Sequence, residues 1–162
     1  MKIALYPGTF DPITYGHLDV LDRASRLFDR IVITVAKNSS KTPLFSAEER
    51  IDLIKEVTKD FKSEAELVIK TFEGLIVDFA TQENARAIIR GLRAISDFEY
   101  EMQMALVNRK LSGITTVFLM PHERYTYLNS SIVRELASLD GDISHFVPPE
   151  VEKRIKAKLK KD

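Results

Sequence analysis

The sequence predicts an α/β fold: a single-domain, Rossmann-like, doubly wound parallel sheet of five strands with a C-terminal helix. Two observations carry this prediction. Short apolar runs of strand length recur along the chain, and longer segments with apolar residues at helical spacing separate them. A β-α order repeated five times specifies a mostly parallel sheet with helices on both faces. At 162 residues, the chain suits one domain spanning 1–162.

The five predicted strands are short apolar runs that read as buried segments. They lie at 2–6, 31–36, 67–71, 87–90 and 115–120. Each run is too short for a typical helix, and amphipathic stretches follow most of them, so strands are favoured.

Helices are predicted where apolar residues recur every three or four positions. The second helix has the clearest start, because Ser46 and Glu49 form a capping box ahead of the stripe that contains Ile51, Ile54 and Val57. The last helix is expected from Pro149 to about Lys160. The other apolar stripes are Leu18, Leu21, Ala24, Leu27 and Phe28; Phe98, Met102, Leu106 and Val107; and Ile132, Leu136 and Leu139.

Composition argues against several classes of function. Lys plus Arg and Asp plus Glu number 24 each, and a neutral chain argues against a general nucleic-acid or membrane-surface binder. The chain has no cysteine, which excludes disulfide scaffolds, thiolate metal sites and cysteine nucleophiles. The apolar runs are too short to cross a bilayer, and Pro7-Gly8 follows the first residues too closely for a signal peptide. A cytoplasmic protein is therefore expected.

Ligand-binding residues are expected in the loops that follow the carboxyl ends of the strands. Four such loops run over 7–12, 37–43, 90–95 and 121–131. In the first, Gly8 permits a turn or the close approach of a ligand, and Thr9 offers a hydroxyl group. Gly16 and His17 fall in the first turn of the first helix, where free N–H groups and the helix dipole attract anions. We therefore interpret His17 as a donor toward a phosphate rather than as a histidine satisfied by local hydrogen bonds.

Two arginines stand at the end of the fourth predicted strand. Arg90 and Arg93 flank a Gly-Leu pair, and arginine binds phosphate oxygens bidentately. The alternative is that both form surface ion pairs with Asp97, Glu99 or Glu101. We favour phosphate binding.

Hydroxyl groups and lysines occupy the remaining loops. Lys37 and Lys41 lie among asparagine, serine and threonine residues, a composition that suits a phosphate. Taken alone, this loop is better explained as a solvated loop. Ser130 and Ser131 precede a helix, where they form either an N-cap or an anion cradle. Because these loops converge on one sheet edge, the combination favours a polyphosphate ligand. The Gly-x-Gly, Gly-Lys-Ser/Thr and His-Glu-x-x-His signatures are all missing.

Three motifs make the chain resemble the bacterial phosphopantetheine adenylyltransferases, nucleotidyltransferases marked by a T/H-x-G-H motif. They are YPGTFDPITYGH at 6–17, IRGLRAISDFEYEMQ at 89–103 and YLNSSIVRELA at 127–137. The resemblance covers essentially the whole chain. It implies in-line transfer of the adenylyl group of ATP to 4′-phosphopantetheine, giving dephospho-CoA and pyrophosphate in the penultimate step of coenzyme A biosynthesis. It also implies Mg²⁺ bound with ATP, no metal ligands among the protein side chains, and a homohexamer.

The resemblance assigns ATP-binding roles position by position. Thr9 and Phe10 would contact ATP, and His17 would bind ATP and stabilise the transition state at the α-phosphate. Further ATP contacts would come from Gly91, Leu92, Arg93, Glu101, Tyr125, Thr126, Tyr127, Leu128, Asn129, Ser130 and Ser131.

The resemblance also assigns residues to the acceptor. Lys41 and Arg90 would hold the phosphate of phosphopantetheine, which Thr9 would contact as well, and Ile76 would line the pantetheine arm. The chain has Ile76 where the family often has Leu or Met, and Asn129 where it usually has a hydroxyl residue. An amide can still donate a hydrogen bond at that position.

Two alternatives stay open at the level of the sequence. One is a nucleotidyltransferase of the same superfamily that acts on nicotinate mononucleotide or glycerol phosphate; Arg90 and the DFEYE helix argue against it. The other is a nucleotide-binding sensor without turnover. Against the sensor, simple binding requires no donor such as His17 at the α-phosphate.

Overall fold

The computed structural model describes residues 1–37 and 42–160, apart from the side chains of 95 and 96. Its strands follow the predicted runs closely: β1 (Ile3–Gly8), β2 (Arg30–Ala36), β3 (Glu66–Phe72), β4 (Ala87–Gly91) and β5 (Thr115–Leu119). Its helices are α1 (Tyr15–Ser25), α2 (Ala47–Thr58), α3 (Ile76–Gln82), α4 (Ile95–Ser112), α5 (Ser130–Ser138) and α6 (Pro149–Leu159). The predicted α/β fold with a C-terminal helix is confirmed.

The strands form one parallel sheet in the order β3-β2-β1-β4-β5. The chain builds outward from β1 through β2 to β3, then crosses back to place β4 on the other side of β1. Strand order therefore reverses between β1 and β4. In sheets of this kind the reversal opens a crevice at the carboxyl ends of the strands, where ligands bind.

Alternate residues of the central strands enter two different cores, as the two-residue period of a strand requires. Tyr6 and Ile33 face one core, which packs against α1, α2, α5 and α6. Leu5, Val32 and Ile88 face the other core, which is covered by α3. The doubly wound arrangement predicted from the sequence follows from this alternation.

Two helix starts bring polar side chains to defined positions. The capping box of Ser46 and Glu49 is confirmed: Ser46 Oγ accepts from the N–H of Glu49, and the Glu49 carboxylate accepts from the N–H of Ser46. At α1 the N-cap is Thr14, and His17 takes the place that Glu or Gln usually fills in a capping box. The start of α1 is thereby tied to a side chain that the sequence singles out as functional.

Several boundary predictions were wrong. The first helix ends at Ser25, so Leu27 and Phe28 lie beyond it; the chain turns there toward β2, and Leu27 is 49% exposed. Pro7 and Gly8 belong to β1 rather than to the following loop. The helix between β3 and β4 was implied by the β-α order but not located, because its seven residues are too few to show a clear periodicity.

The fourth helix exists where its apolar spacing predicted it, but those side chains are not buried in this chain. Phe98, Met102, Leu106 and Val107 are between 41% and 50% exposed. The helix packs against β5 and α3, and the centre of the Phe98 ring lies 6.4 Å from that of the ring of Phe118 in β5. Among the described helices, none combines the length and the apolar character that a membrane span needs.

Candidate active site

A cavity of about 530 Å³ opens where β1 and β4 end, at the reversal of strand order. It is lined from three directions: by the segment after β1 and the start of α1, by the end of β4, and by the segment leading into α5. The residues predicted from the sequence that line it are Thr9, Phe10, His17, Arg90, Gly91, Arg93, Glu101, Tyr125, Leu128, Asn129, Ser130 and Ser131. The structure thus brings together side chains that are up to 122 positions apart (from Thr9 to Ser131) in the sequence.

Three of the residues predicted to contact ATP are not among those that line this cavity. Leu92, Thr126 and Tyr127 lie outside its lining. The Thr126 hydroxyl donates to the carbonyl of Glu123 at 2.8 Å, within the turn that follows a short 3-10 helix. Lys41 falls outside the described residues. Their assigned contacts stay predictions.

A second cavity of about 310 Å³ adjoins the first. The two share Pro7, Gly8, Thr9, Arg90 and Glu101, so one guanidinium group borders both. Ile76, the predicted pantetheine-lining residue, lies here and not in the first cavity. Lining residues that the sequence reasoning missed are Ala36, Phe72, Ile88, Tyr100, Met104, Ala105, Asn108 and Thr116.

The second cavity combines apolar walls with one unsatisfied polar atom. Thr116 Oγ1 is buried and finds no hydrogen-bond partner among the described residues. Asn108 is 9% exposed and lines the same space. A buried hydroxyl without a partner costs about 1–3 kcal/mol, so a polar group of a ligand would be favoured there.

The segment between β1 and α1 is anchored through its carbonyl oxygens. Arg50 Nη1 donates to the carbonyl of Thr9 at 2.8 Å, Arg134 Nη1 donates to that of Asp11 at 2.6 Å, and Ser130 Oγ donates to that of Pro12 at 2.7 Å. These donors come from two helices, α2 and α5. The segment is therefore held between α2 and α5. The two hydrogen bonds from arginines contribute about 1.5–3 kcal/mol each, because their donors are charged.

Phe10 sits in this anchored segment in an unusual backbone conformation. Its φ is 50°, in the left-handed region that non-glycine residues rarely adopt, yet its side chain is 2% exposed. The ring lies against Gly8, where a Cβ would come within 3.0 Å of Phe10 Cε2. The glycine at position 8 therefore leaves room for the Phe10 ring to pack against β1. It would also permit the close approach of a ligand.

The His17 ring is oriented by the N-cap of its own helix. The N–H of Thr14 donates to His17 Nδ1 at 3.0 Å, and Thr14 Oγ1 lies 3.0 Å from the same nitrogen. A nitrogen that accepts from a backbone N–H carries no proton, so the neutral ring carries its proton on Nε2. In the sequence analysis, the alternative to phosphate binding was a His17 satisfied by local hydrogen bonds. Those hydrogen bonds are present, but they engage only Nδ1 and leave Nε2–H as a donor.

The charge state of His17 is controlled by burial and by two arginines. Burial lowers the pKa of His17 to about 3, and the positive charges of Arg93 and Arg90 act in the same direction. The ring is therefore neutral at neutral pH in the free protein. Because the unfolded chain protonates this residue at higher pH, its contribution to stability is present above pH 6.5 and is lost as pH falls from there toward 3.

Arg90 is held by a bidentate ion pair. Its Nε and Nη2 donate to the two carboxylate oxygens of Glu101 at 2.8 and 2.6 Å, and its Nη1 donates to the carbonyl of Pro7 at 3.0 Å. Burial opposes the charged form, but the hydrogen bonds and charge of Glu101 outweigh it, so the pKa of Arg90 is raised. The ion pair considered as the alternative for Arg90 exists, and it fixes the guanidinium between the two cavities.

Arg93 is tethered more loosely. Its Nε lies 3.5 Å from an oxygen of Asp97, and its Nη1 donates to the carbonyl of Leu128 at 3.2 Å. The side chain is 38% exposed and lines the first cavity only. Of the two arginines, Arg93 thus keeps more freedom to meet an incoming anion.

The start of α5 adds donors to the first cavity. Asn129 is its N-cap, and its side-chain oxygen accepts from the N–H of Ile132 at 2.8 Å. The segment can therefore serve both as an N-cap and as an anion cradle, because capping uses the side-chain oxygen of Asn129 and leaves its amide N–H₂ as a donor. Arg134, one turn further, also lines the cavity and donates to Ser131 Oγ at 3.2 Å. Arg134 was not predicted from the sequence. It lies four positions after Ser130 and three after Ser131, a spacing that places all three on one helix face and could have identified it.

Among the residues that the structure describes, no group of three His, Asp or Glu side chains could hold a metal ion. The carboxylates of the first cavity are engaged elsewhere: Asp97 is near Arg93, Glu101 is paired with Arg90, and Asp11 accepts from the N–H groups of Leu44 and Phe45, both at 2.9 Å. They do not form a ready set of metal ligands.

A model of the cytidylyltransferase-like family matches residues 5–136. A phosphopantetheine adenylyltransferase of Caldanaerobacter subterraneus is 51% identical to the chain over 162 residues, covering 99% of both. One of Moorella thermoacetica is 56% identical over 154 residues, covering 94% of both. The chain belongs to the phosphopantetheine adenylyltransferase family. The resemblance noted in its three motifs is thereby confirmed.

A similar fold is seen in a solved structure. A Plasmodium falciparum nicotinic acid mononucleotide adenylyltransferase complexed with NaAD superimposes with a TM-score of 0.74 at 16% identity, covering 96% of this chain and 95% of that one. At this identity the likeness concerns the fold, a parallel sheet with helices on both faces.

We predict that His17 stays neutral, protonated on Nε2, from neutral pH down to about pH 4 in the free protein, because its pKa is lowered to about 3. Nitrogen chemical shifts of the ring in ¹⁵N-histidine-labelled protein would report both the tautomer and the titration. Titration of His17 near its ordinary value of 6.5, or a proton on Nδ1, would contradict the prediction.

Proposed function

We propose that this protein transfers the adenylyl group of ATP to 4′-phosphopantetheine, releasing dephospho-CoA and pyrophosphate, and that the two adjoining cavities hold the two substrates. The observation that carries the proposal is the position of Arg90, which borders both cavities at the reversal of strand order. The names of the family members support the substrates.

The reaction requires positioning and charge neutralisation rather than a protein nucleophile. An oxygen of the phosphopantetheine phosphate attacks the α-phosphorus of ATP, and the bond from that phosphorus to the pyrophosphate oxygen breaks as the new bond forms. Pyrophosphate leaves with the electron pair of the broken bond. Both reactants are anions, so the barrier falls when cations and fixed donors hold them in line.

His17 is proposed to stabilise the charge that develops at the α-phosphate. Its hydrogen bond to Thr14 fixes the ring, and the low pKa keeps it neutral, so Nε2–H acts as a hydrogen-bond donor and not as an acid. A fixed neutral donor stabilises charge without reorganisation during the reaction. The N-terminal turn of α1 adds its dipole in the same direction.

The remaining roles divide between the cavities. Arg93, with the hydroxyl groups of Ser130 and Ser131 at the start of α5, is proposed to bind the phosphates of ATP in the first cavity. Arg90 is proposed to bind the acceptor phosphate where the cavities meet, with the pantetheine arm extending past Ile76. The paired carboxylate of Glu101 orients Arg90 for this task, and its contact with ATP stays a prediction.

Mg²⁺ is proposed to enter bound to the phosphates of ATP. Magnesium is usually held by substrate phosphates and water with few protein ligands, which fits carboxylates that are already engaged in the first cavity. When bound, the ion would neutralise part of the triphosphate charge. A cytoplasmic location and a single domain over 1–162 are part of the same proposal.

A homohexamer is proposed for the assembly. The chain exposes a row of apolar side chains along α4, which a partner copy would cover. The row comprises Phe98, Met102 and Leu106, which lie four positions apart on one face of the helix and are between 41% and 50% exposed.

Pyrophosphate release from ATP and 4′-phosphopantetheine tests the proposed reaction. We expect His17→Ala to lower turnover by about 10²–10³-fold, the usual loss for one transition-state donor, while ATP affinity changes little. His145→Ala, at a histidine that is 81% exposed, is the matched control and should retain wild-type turnover.

Three results would count against the proposal. Normal turnover in the His17 variant would remove its assigned role. Turnover with nicotinate mononucleotide or glycerol phosphate in place of phosphopantetheine would assign a different acceptor. Tight ATP binding with no turnover on any of the three acceptors would indicate a sensor.

The two arginines are expected to affect different substrates. Because Arg90 borders both cavities and Arg93 only the first, Arg90→Ala should mainly weaken phosphopantetheine and Arg93→Ala mainly ATP, each by about 10-fold or more. Calorimetric titration of each variant with each ligand measures the split. Arg26→Ala, at a surface arginine that is 61% exposed, controls for loss of charge. Equal losses for both ligands in both variants would refute the division.

The hexamer is tested by light scattering, which should give about six times 18.5 kDa. Leu106→Glu, in the exposed row on α4, should dissociate the assembly because it buries a charge in the interface. Leu27→Glu is the matched control, since Leu27 and Leu106 are 49% and 50% exposed. A wild-type monomer at micromolar concentration, or dissociation by both variants alike, would refute this interface.

A further inference from the structure

Arg50 is a buried arginine whose hydrogen bonds go to backbone carbonyl groups. It is 1% exposed and is the largest fully buried side chain of the described residues. Its Nη1 donates to Thr9 at 2.8 Å and to Ala36 at 3.0 Å, and its Nε donates to Phe45 at 3.2 Å and to Ser46 at 3.3 Å. No carboxylate of the described residues bonds directly to Arg50, and a charge buried in this way is costly.

The four carbonyl groups belong to three segments of the chain, which the side chain of Arg50 links. Thr9 follows β1, Ala36 ends β2, and Phe45 and Ser46 directly precede α2. Asp11 reinforces the same junction from the other side, because its carboxylate accepts from the N–H groups of Leu44 and Phe45. The guanidinium group therefore bridges the carboxyl ends of two neighbouring strands, one position beyond their last paired residues, Gly8 and Val35.

The two residues that Nη1 holds, Thr9 and Ala36, both line the second cavity. Ala36 does not line the first cavity, and Arg50 lines neither. Arg50 thus lies behind the wall of the second cavity and contacts the backbone that forms it. A substitution at Arg50 should therefore alter the shape of the cavity proposed for phosphopantetheine more than that of the first cavity.

Arginine suits this place better than other side chains. The planar guanidinium group directs Nε and Nη1 toward different segments at once, which a single ammonium group does not do. A lysine nitrogen would end near the position of Arg50 Cζ, one bond short of Nη1. Methionine fills most of the same apolar space but is two bonds shorter and has no donor.

We propose that Arg50 is a positioning residue for the acceptor: by holding the carbonyl groups of Thr9 and Ala36, it sets the width of the cavity that receives phosphopantetheine, without touching either substrate. This inference rests on the proposed function of the two cavities. A shift of about 1 Å in a substrate-positioning group can cost up to about 10²-fold in rate. The hydrogen bonds of Arg50 are therefore expected to matter for kinetics as well as for folding.

The test compares Arg50→Met and Arg50→Lys with the wild type, below the unfolding temperature of each variant. We expect Arg50→Met to raise KM for phosphopantetheine by about tenfold or more, Arg50→Lys to raise it less, and the Kd for ATP to change by less than about threefold in both. A purely structural role would lower the folded fraction and hence the apparent kcat, with both substrate affinities unchanged.

Arg154→Met and Arg154→Lys are the matched controls. Arg154 lies on α6, 3.6 Å from Glu56 of α2, and is 43% exposed. Both controls should keep the wild-type KM. An unchanged KM for phosphopantetheine in Arg50→Met, or an equal weakening of ATP and phosphopantetheine, would overturn the proposal. Failure of the wild type to release pyrophosphate in the same assay would instead overturn the proposed function.

A measurement on the wild type covers the case in which neither Arg50 variant folds. The guanidinium ¹⁵N–¹H signals of Arg50 should be resolved and slow to exchange, and they should shift on saturation with phosphopantetheine more than with ATP. Signals that ATP shifts equally, or that phosphopantetheine leaves unmoved, would refute the positioning role.

Discussion

The anchoring of the segment between β1 and α1 is the constraint on which the site depends. This segment carries Thr9 and Phe10 and leads into the helix of His17, yet it contains no regular secondary structure that would fix it. Side-chain donors replace the missing backbone hydrogen bonds: Arg50 from α2, and Ser130 and Arg134 from α5. Because both helices pack against α6, the geometry of the site is linked to the core on that face of the sheet.

Electrostatics in the first cavity follow from the same packing. Two guanidinium groups and two helix N-terminal turns surround a histidine that burial keeps neutral. A protonated histidine there would add a further cation to a cavity that Arg90, Arg93 and Arg134 already line, and the charges of Arg90 and Arg93 disfavour it. The proposed roles therefore differ by charge. The arginines, which stay positively charged, bind phosphates, and the uncharged His17, oriented by Thr14, donates a hydrogen bond to the charge that develops during the reaction.

Much of the fold and the membership of the site could be predicted from local patterns. Strand runs, the capping box of α2 and the start of α1 depend on neighbouring residues, and these predictions were confirmed within a residue or two. Burial was harder to predict. The apolar spacing of Phe98 and Leu106 correctly indicated a helix, but spacing alone does not say whether that stripe meets this chain's core or another surface. The short helix α3 was not located for a similar reason, since seven residues complete barely two turns.

By itself, the sequence determined the order of strands and helices, the carboxyl-edge location of the candidate residues and the family to which the chain belongs. Tertiary structure decided how those residues act on one another. Arg90 donates to Pro7, 83 positions away, and Arg134 to Asp11, 123 positions away, while Arg50 reaches Thr9 across 41. Helical and strand periodicity is set by hydrogen bonds and sterics within a few residues. Charge state, tautomer and the wall of a cavity depend on groups that only folding brings together, because burial and electrostatic fields act through space and not along the chain.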